Sequence, residues 1–172
     1  MTRDLLSVVS KDGQQVDERG RLPGTRLIDG VEVRDIAAVL LDNGSLTEIF
    51  RSDWFAGLRA AHVFQRLLPV GQVAGWHAHA KQTDRLFCGY GKVRVSLHDS
   101  RPASPTCGQS NVFRCGQERP QLIVVPPGVW HAVANIGSGD ALLIDVSEVP
   151  YDYRSPDHWK LPPDTLEIPI QP

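Results

Sequence analysis

The fold is decided by residues 71–91, which read G-Q-V-A-G-W-H-A-H-A-K-Q-T-D-R-L-F-C-G-Y-G. His77 and His79 are two residues apart, so on an extended strand both side chains leave the same face and can reach one point. Asp84 begins the next apolar run after the short Lys81–Thr83 connection. The stretch therefore predicts a strand with a chelating histidine pair, followed by a strand that begins with a carboxylate.

A second stretch, residues 126–135, reads P-P-G-V-W-H-A-V-A-N. His131 follows a Pro-Pro-Gly turn, which can bring a third imidazole to the same place. Three imidazoles and one carboxylate suit Fe(II), Mn(II), Ni(II), Zn(II) or Cu(II), with open positions for water or substrate. We predict a divalent metal site at His77, His79, Asp84 and His131. In the alternative, the same side chains face the barrel interior as hydrogen-bonding groups, without metal.

Most of the remaining sequence consists of strand-length apolar runs that Gly, Pro or Asn interrupt every eight to twelve residues. Runs at this spacing predict a β-sandwich, jelly roll or barrel. One short helical turn is expected within residues 52–59. The main runs are Val31–Val33, Ala37–Leu41, Leu46–Phe50, His62–Leu68, Arg85–Tyr90, Lys92–His98, Gln121–Val125, His131–Asn135 and Ala141–Val146.

The two stretches resemble the paired motifs of the cupin superfamily, G-x5-H-x-H-x3-4-E-x6-G and G-x5-P-x-G-x2-H-x3-N. Asp84 occupies the Glu position of the first motif, and Pro120 stands where the second motif begins with Gly. The resemblance implies an all-β fold, the cupin double-stranded β-helix or jelly-roll barrel. The other matching positions are Gly71, His77, His79, Gly91, Pro126, Gly128, His131 and Asn135.

Length and composition favour one globular domain. The chain has 172 residues, 41% hydrophobic and 22% charged, which is ordinary for a folded domain. We expect an N-terminal arm or edge strand at residues 1–25, docked on a partner subunit of a homodimer. The barrel should span residues 26–172 and end in an extended, proline-rich tail.

Charge and hydropathy indicate the cellular setting. The net charge is −2 and the basic residues form no stripe, which argues against nucleic acid as a partner. Neither a signal peptide nor a membrane span is visible, so we expect a cytoplasmic protein with no membrane partner. The three cysteines are odd in number and suit reduced thiols.

A narrower resemblance covers roughly residues 27 to 170 and concerns the dTDP-4-dehydrorhamnose 3,5-epimerases and their divergent relatives. Residues 42–50 (D-N-G-S-L-T-E-I-F) resemble that family's D-x-R-G-x-F-x-E-x-F, and residues 74–77 (A-G-W-H) resemble its R-G-L-H. Residues 91–101 (G-K-V-R-V-S-L-H-D-S-R) resemble its G-x-V-x-D-V-x-V-D-x-R, and residues 104–108 (S-P-T-C-G) match its S-P-T-x-G.

This resemblance implies a small-molecule substrate, a nucleotide sugar such as a dTDP-4-keto-6-deoxyhexose. It makes His77 the base that removes a proton next to the sugar ketone. Glu48 matches an acid that contacts the nucleotide from a neighbouring subunit. The chain departs from the family where a substrate-binding Arg is replaced by Ala74, a Lys by Asp84, and the acid-donating Tyr by a residue near Ile144.

With that Lys and Tyr replaced, we expect a metal at His79, Asp84 and His131 to stabilise the enolate. If His77 is also a ligand, its inward nitrogen is occupied. Arg85 and Tyr90, or a metal-bound hydroxide, would then carry the proton transfer, and Arg85 would also bind substrate. Two other function classes stay open: a metal-dependent dioxygenase or related oxidoreductase, and a non-catalytic ligand-binding cupin.

The remaining aromatic residues are predicted to be structural. Trp76 and Trp130 each precede a motif histidine, so alternation turns them to the opposite face, where we expect packing. His62, His98 and His158 lie outside the motifs, and the sequence favours surface or hydrogen-bonded positions for them. Tyr151 and Tyr153 are expected to belong to a structural tail.

Overall fold

The computed structural model describes residues 26–56 and 58–172, together with Ser10 and Gly13. The expected arm at residues 1–25 lies almost wholly outside the described residues. One 3-10 turn, Ser52–Phe55, matches the predicted helical turn. The strands are β1 (Glu32–Asp35), β2 (Ala38–Leu41), β3 (Gly44–Thr47), β4 (His62–Leu68), β5 (Val73–Ala78), β6 (Asp84–Tyr90), β7 (Lys92–Asp99), β8 (Ser110–Gly116), β9 (Gln121–Val125), β10 (Val129–Asn135), β11 (Ala141–Ser147) and β12 (Trp159–Lys160).

The strands form two five-stranded sheets and a separate hairpin. One sheet has the order β1-β9-β6-β11-β4, the other has the order β12-β5-β10-β7-β8, and β2 pairs with β3. The pairings in both sheets are antiparallel. Chain neighbours such as β5 and β6 lie in different sheets, which is the jelly-roll arrangement. The predicted all-β cupin fold is confirmed.

Two strands, β8 and β12, were not predicted from the sequence. In β8, Asn111 interrupts the apolar pattern yet is buried, because its amide oxygen accepts from the Ile28 N–H (2.9 Å) and its NH2 donates to the Arg26 carbonyl (3.1 Å). Strand β12 has only two residues and is defined by its pairing with β5. A buried polar residue and a very short strand both lack the alternating signal that predicts a strand.

The core fills the space between the sheets and follows from alternation along each strand. Leu86 and Cys88 of β6, Val95 of β7, Val133 of β10 and Leu143 of β11 belong to one buried cluster. Phe87, between Leu86 and Cys88, packs instead against Ile36 and Leu122 in a second cluster. Every second residue of β6 and of β11, counted from these core residues, therefore also faces the barrel interior.

A bulge in β5 changes this parity next to the motif histidines. His77 pairs with His131, but Ala74 pairs with Val133, so β5 has one more residue than β10 across this interval. A β-bulge of this kind turns the following side chains to the other face. Ala74 consequently packs in the interior cluster, whereas Trp76 packs outside it.

The C-terminal tail covers the outer face of β5. The Leu161 N–H donates to the Trp76 carbonyl (2.9 Å), and Leu161, Ile168 and Ile170 form a cluster with Trp76 and Trp130. Both tryptophans thus pack as predicted. No helix among the described residues is long and apolar enough to cross a membrane.

Several motif residues maintain the fold. Gly91 has φ +77°, and an added Cβ would lie 2.6 Å from the Asp140 carbonyl oxygen, so a larger residue does not fit this turn. The Asn135 amide donates to the carbonyls of Leu68 (2.8 Å) and Gly139 (2.9 Å) and accepts from the Gly137 N–H (2.9 Å). Both residues stabilise turns at the end of the barrel away from the histidines.

The Asp-x-Arg and Ser-Pro-Thr motifs form one hydrogen-bonded network around Asp99. This fully buried carboxylate accepts from Arg101 Nε (2.8 Å), Ser104 Oγ (2.5 Å) and Thr106 Oγ1 (2.7 Å). Thr106 Oγ1 in turn accepts from the Asp29 N–H (2.8 Å). The motifs therefore hold residues 101–108 and the start of the barrel together.

Replacing this carboxylate should destabilise the protein. We expect Asp99→Ala to lower the free energy of unfolding by about 2–3 kcal/mol, because several donors around a buried site lose their acceptor. Urea denaturation followed by tryptophan fluorescence measures the change. The control Asp42→Ala, at an exposed turn position, should stay within about 0.5 kcal/mol of the parent. Equal stability of the two variants would contradict this account.

Candidate functional site

The structure brings the four predicted side chains together. One potential ligand atom from each of His77, His79, Asp84 and His131 lies within 4.8 Å of the others; we call this group the histidine–aspartate cluster. Asp84 Oδ2 is 3.1 Å from His79 Nε2 and 3.0 Å from His131 Nε2. The rings of His77 and His131 have centroids 4.0 Å apart. The two motifs therefore meet at one point, as the sequence predicts.

Backbone carbonyls orient all three imidazoles of the cluster. His77 Nδ1 is 2.9 Å from the Gly75 carbonyl oxygen, and His131 Nδ1 is 3.2 Å from that of Val129. His79 Nδ1 contacts the Asp157 carbonyl oxygen. Because a carbonyl oxygen can only accept, each Nδ1 must carry the proton and donate it. The Nε2 atoms are thereby left to face the cluster.

This arrangement concentrates acceptors. In a neutral imidazole protonated at Nδ1, Nε2 is an acceptor, and an ionised carboxylate is an acceptor only. The Asp84 Oδ2 atom nevertheless lies at hydrogen-bond distance from two Nε2 atoms. Such contacts are favourable only when a proton or another cation lies between the atoms. The cluster is thus built to hold positive charge.

The protonation preferences differ within the cluster. Burial and the nearby His131 lower the pKa of His77 well below its usual value. Burial also acts to lower the pKa of His79, but the hydrogen bond and charge of Asp84 outweigh it and raise that pKa. Burial would raise the pKa of Asp84, yet its bonds to His131 and His79 hold it far below its usual range. His77 therefore favours the neutral form, whereas His79 holds a proton more readily than a free histidine does.

A cavity of about 380 Å³ opens onto the cluster, and we call it the mouth cavity. Its volume lies in the usual range for small-molecule sites. Polar and aromatic side chains from strands β4, β5, β6, β11 and β12, from the β5–β6 connection and from the tail surround it. They are His62, Phe64, Arg66, His77, His79, Gln82, Asp84, Asp145, Tyr151, Tyr153, His158 and Lys160.

Asp145 is a buried acid on the wall of the cavity formed by β11. Only 3% of the residue is exposed, and its Oδ1 accepts from the Arg85 backbone N–H (3.2 Å). Burial raises its pKa well above the usual value, and the negative charge of Asp84 adds to the effect. Because desolvation favours the uncharged form of a carboxyl group, Asp145 tends to keep its proton.

The tail closes another side of the cavity. The Asp157 carboxylate accepts from the backbone N–H groups of Ala80 (2.9 Å), Lys81 (2.8 Å) and Gln82 (3.2 Å), while its own carbonyl accepts from His79. Asp157 thus fixes both the β5–β6 connection and the His79 ring. The next residue, His158, has its ring centroid 5.2 Å from those of both His77 and His79.

Arg85 does not face the cavity, in contrast to the prediction from the sequence. It was predicted to bind substrate and assist catalysis, but it follows Asp84 directly and faces the opposite side of β6. Its guanidinium lies 2.6 Å from Glu148 Oε2 and 5.1 Å from the ring centre of Phe55. Adjacent residues of a strand point to opposite faces, so only Asp84 reaches the cavity.

Tyr90 is also displaced from its predicted place. It ends the strand that Asp84 begins, about 20 Å further along at the rise of an extended chain, and lines a separate surface cavity with Lys92 and Gln117. Glu48 is exposed and pairs with Arg51 at 3.3 Å. Its contact with a nucleotide in a neighbouring subunit, like the homodimer itself, stays a prediction.

Several residues of the site were missed or assigned elsewhere. His158, Tyr151 and Tyr153 were expected on the surface or in a structural tail, but they line the mouth cavity. The family tyrosine was expected near Ile144, whose side chain packs outside the barrel interior; the next residue, Asp145, faces the cavity. Alternation along β11 is the one signal that could have identified Asp145, whereas no spacing rule connects the tail to the motifs.

The jelly-roll barrel and its histidine–aspartate cluster define a cupin. No protein-family model matches the chain. The probable low-salt glycan biosynthesis epimerase Agl13 of Haloferax volcanii is 35% identical over 139 residues, which cover 80% of this chain and 89% of Agl13. The chain belongs to the same family as Agl13, a probable sugar epimerase of glycan biosynthesis.

Two further proteins are similar to the chain, one in sequence and one in structure. The spore coat polysaccharide biosynthesis protein SpsL of Bacillus subtilis is 29% identical over 142 residues, which cover 83% of this chain and 94% of SpsL. The crystal structure of a dTDP sugar isomerase from Desulfovibrio desulfuricans G20 superposes with a TM-score of 0.79 at 22% identity, covering 84% of this chain and 91% of the isomerase. That structure supports the fold.

Because His79 lies against the Asp84 carboxylate, the stability of the metal-free protein should depend on pH. The folded pKa of His79 is raised, so its contribution to stability is present below the unfolded value of about 6.5 and is lost as pH rises through the folded pKa. NMR titration of His79 should give a midpoint above that value, and Asp84→Asn should lower the midpoint. The remote Asp42→Asn variant should not. A His79 midpoint that Asp84→Asn leaves unchanged would refute the coupling.

Proposed function

We propose that the protein is a nucleotide-sugar epimerase that inverts a carbon next to a sugar ketone, in a substrate such as a dTDP-4-keto-6-deoxyhexose. The observation that carries the proposal is a base and an acid on facing walls of one cavity, in a chain of an epimerase family. His77 lies on β5 of one sheet and Asp145 on β11 of the other. Inversion needs one group on each side of the reacting carbon.

His77 has the properties of the base. Its Nδ1–H is held by the Gly75 carbonyl (2.9 Å), so Nε2 carries the free lone pair. Its lowered pKa keeps the ring neutral, and a neutral imidazole accepts a proton without first losing one. A base must be unprotonated at the working pH and near the proton that it removes; His77 meets the first condition and lines the cavity.

Asp145 has the properties of the acid. Its burial and the charge of Asp84 favour the protonated form, so it has a proton to deliver. The family's acid is a tyrosine, which also donates an O–H group. A carboxyl group whose pKa is raised by burial and by a nearby carboxylate can do the same chemistry from a shorter side chain.

The proton transfers balance in two steps. His77 Nε2 removes the proton from the carbon next to the ketone, and the bonding electrons move to the ketone oxygen to form an enolate. Asp145 then donates its proton to the opposite face of that carbon, and the carbonyl re-forms. His77 is left protonated and Asp145 ionised, and exchange with water restores both groups.

His79, Asp84 and His131 are proposed to supply the positive charge that stabilises the enolate. Their donor set, the distances around Asp84 Oδ2 and the carbonyl-bound Nδ1 atoms fit a divalent transition metal, because metal-bound histidines commonly donate their other N–H to a carbonyl. Such an ion, when bound, would act as a Lewis acid toward the substrate oxygen. Without one, the raised pKa of His79 supplies an imidazolium instead.

The other function classes are less well supported. The names of Agl13 and of the structural relative describe an epimerase and an isomerase, and that of SpsL describes polysaccharide biosynthesis; none describes an oxygenase. A non-catalytic cupin does not need a neutral base and a protonated acid across a cavity. Oxygen uptake with Fe(II), or a complete lack of proton exchange, would favour these alternatives.

Deuterium exchange tests the base and the acid separately. In D2O, the wild-type protein should incorporate deuterium into a dTDP-4-keto-6-deoxyhexose and invert the carbon. His77→Asn should slow exchange by about 10²–10⁴-fold, the usual contribution of a general base. Asp145→Asn should retain exchange but lose inversion, because His77 alone can remove and return the proton. Mass spectrometry and proton NMR follow the two outcomes.

The matched control is Asp140→Asn, just before β11 and at the surface cavity of Tyr90, which should behave as the wild type. Wild-type exchange rates in His77→Asn would exclude His77 as the base. Inversion by Asp145→Asn at the wild-type rate would exclude Asp145 as the acid. A lack of exchange by the wild type with a panel of 4-keto nucleotide sugars would overturn the proposed function.

Elemental analysis tests the metal. Protein purified without chelator should contain roughly one equivalent of a divalent transition metal per chain, and His79→Ala should lose it. The control His62→Ala changes a histidine that lines the same cavity but is not part of the cluster, so it should keep the metal. If the protein binds none of Fe, Mn, Ni, Zn or Cu after reconstitution with their salts, the metal proposal is wrong, and protons hold the cluster together.

A further inference from the structure

Gln82 is a buried polar residue of the mouth cavity that takes no part in the proposed proton transfers. It lies in the connection between β5 and β6, is 9% exposed and lines the cavity. Its side-chain amide contacts the histidine–aspartate cluster, because Nε2 lies 2.5 Å from Asp84 Oδ1. Buried polar groups in proteins are usually hydrogen-bonded, and the partner of this amide is the carboxylate at the centre of the cluster.

The contact fixes which way the Gln82 amide is turned. An ionised carboxylate only accepts hydrogen bonds, so the group next to Asp84 Oδ1 must be the amide NH2 and not the amide oxygen. Gln82 therefore donates, and Asp84 accepts. Because Asp84 is 1% exposed, bulk water has little access to this oxygen, and a buried carboxylate oxygen without a donor is costly.

The two oxygens of Asp84 consequently have different roles. Oδ2 lies 3.1 Å from His79 Nε2 and 3.0 Å from His131 Nε2, whereas Oδ1 accepts from Gln82. The last torsion of an aspartate side chain has broad energy wells, so a carboxylate held at one oxygen alone could turn. The bond from Gln82 opposes that rotation and keeps Oδ2 between the two imidazoles.

A neutral amide suits this role better than a charged side chain would. A lysine or arginine at position 82 could also donate to Asp84 Oδ1. It would, however, bring a full positive charge to the carboxylate and weaken the attraction of Asp84 for a proton or metal at the imidazoles. The amide of Gln82 orients the carboxylate and leaves its charge in place.

The backbone around Gln82 is held by two acidic side chains. The Asp157 carboxylate accepts from the Gln82 N–H (3.2 Å) as well as from the two preceding N–H groups. At the next residue, the Thr83 N–H donates to Glu148 Oε1 (3.0 Å). These bonds restrict the start of the Gln82 side chain, so that its amide reaches Asp84 from a fixed point.

We propose that Gln82 is a positioning residue: its amide holds Asp84 Oδ1, so that Asp84 presents one oxygen, Oδ2, to the two imidazoles of the cluster. The arrangement is the same whether a proton or a metal ion occupies the cluster. Its benefit to catalysis, a positive charge kept beside the substrate oxygen, rests on the proposed function. The positioning itself does not.

Histidine ring spectra test the positioning in metal-free protein. Gln82→Met keeps the length of the side chain but removes the amide, so Asp84 is free to turn. The Nε2 NMR signals of His79 and His131 should then shift. The matched control Gln65→Met, at an exposed position of β4, should leave both signals at their wild-type values. A merely structural role would lower the melting temperature of Gln82→Met without moving the ring signals, and that result would overturn the proposal.

Metal affinity gives a second readout. Loss of a residue that hydrogen-bonds a metal ligand typically weakens metal binding by about 10–100-fold. The Kd of Gln82→Met for Zn(II), measured by competition with a chromophoric chelator, should rise by that factor, whereas Gln65→Met should bind as the wild type does. An unchanged Kd in Gln82→Met would contradict the proposal. If the wild type binds no Zn(II), the ring spectra decide alone.

The outcomes separate this inference from the proposed function. Neither measurement uses a substrate, so the ring spectra and the Kd can support the role of Gln82 even if no 4-keto sugar exchanges deuterium. Conversely, deuterium exchange by a wild type whose ring signals do not depend on Gln82 would leave the proposed reaction standing and reject the positioning. Circular dichroism and thermal unfolding show whether each variant is folded.

Discussion

The site depends on one buried carboxylate that two imidazoles share. Asp84 Oδ2 lies about equally far from His79 Nε2 and His131 Nε2, and the side chains of Asp84 and His131 are almost fully buried. Removing an ionised carboxylate from water is costly unless positive charge compensates it. The chain meets this requirement by fixing each imidazole through its Nδ1–H and turning Nε2 toward the carboxylate. The charge of Asp84 also raises the pKa of His79 and, after burial, that of Asp145.

The two sheets place different chemistry on the two walls of the cavity. One wall carries His77, whose burial and histidine neighbours disfavour a proton. The other carries Asp145, whose burial beside Asp84 favours one. The Asp84 anion thus acts in two directions: it raises the pKa of His79, and together with burial it raises the pKa of Asp145. Pairs of titratable groups pushed apart in this way are a common basis for acid–base chemistry.

The sequence predicted what alternation and local spacing determine. The histidine pair was identified because its spacing of two residues matches the repeat of an extended strand, and Asp84 and His131 were identified from the motifs. Arg85 was misplaced because it was taken as a neighbour of the site, whereas neighbours in a strand point to opposite faces. Asp157 and His158 come from a tail whose path depends on packing against Trp76. That contact is tertiary, and no local pattern in the tail encodes it.

The residues that differ from the family can be understood from the charges around the cavity, although these charges come from different positions in the sequence. Asp84 stands where the family resemblance places a lysine, and the charge of Asp84 raises the pKa of the adjacent His79, which favours a cation at the same place. Ala74 stands where an arginine is expected, whereas Arg66 on β4 and Lys160 on β12 line the mouth cavity. Ile144 points outward, and Asp145, one residue on, brings an acidic proton to the cavity. A barrel that directs side chains from several strands into one interior can supply similar charges from different backbone positions, so the loss of one family residue does not by itself remove its charge from the site.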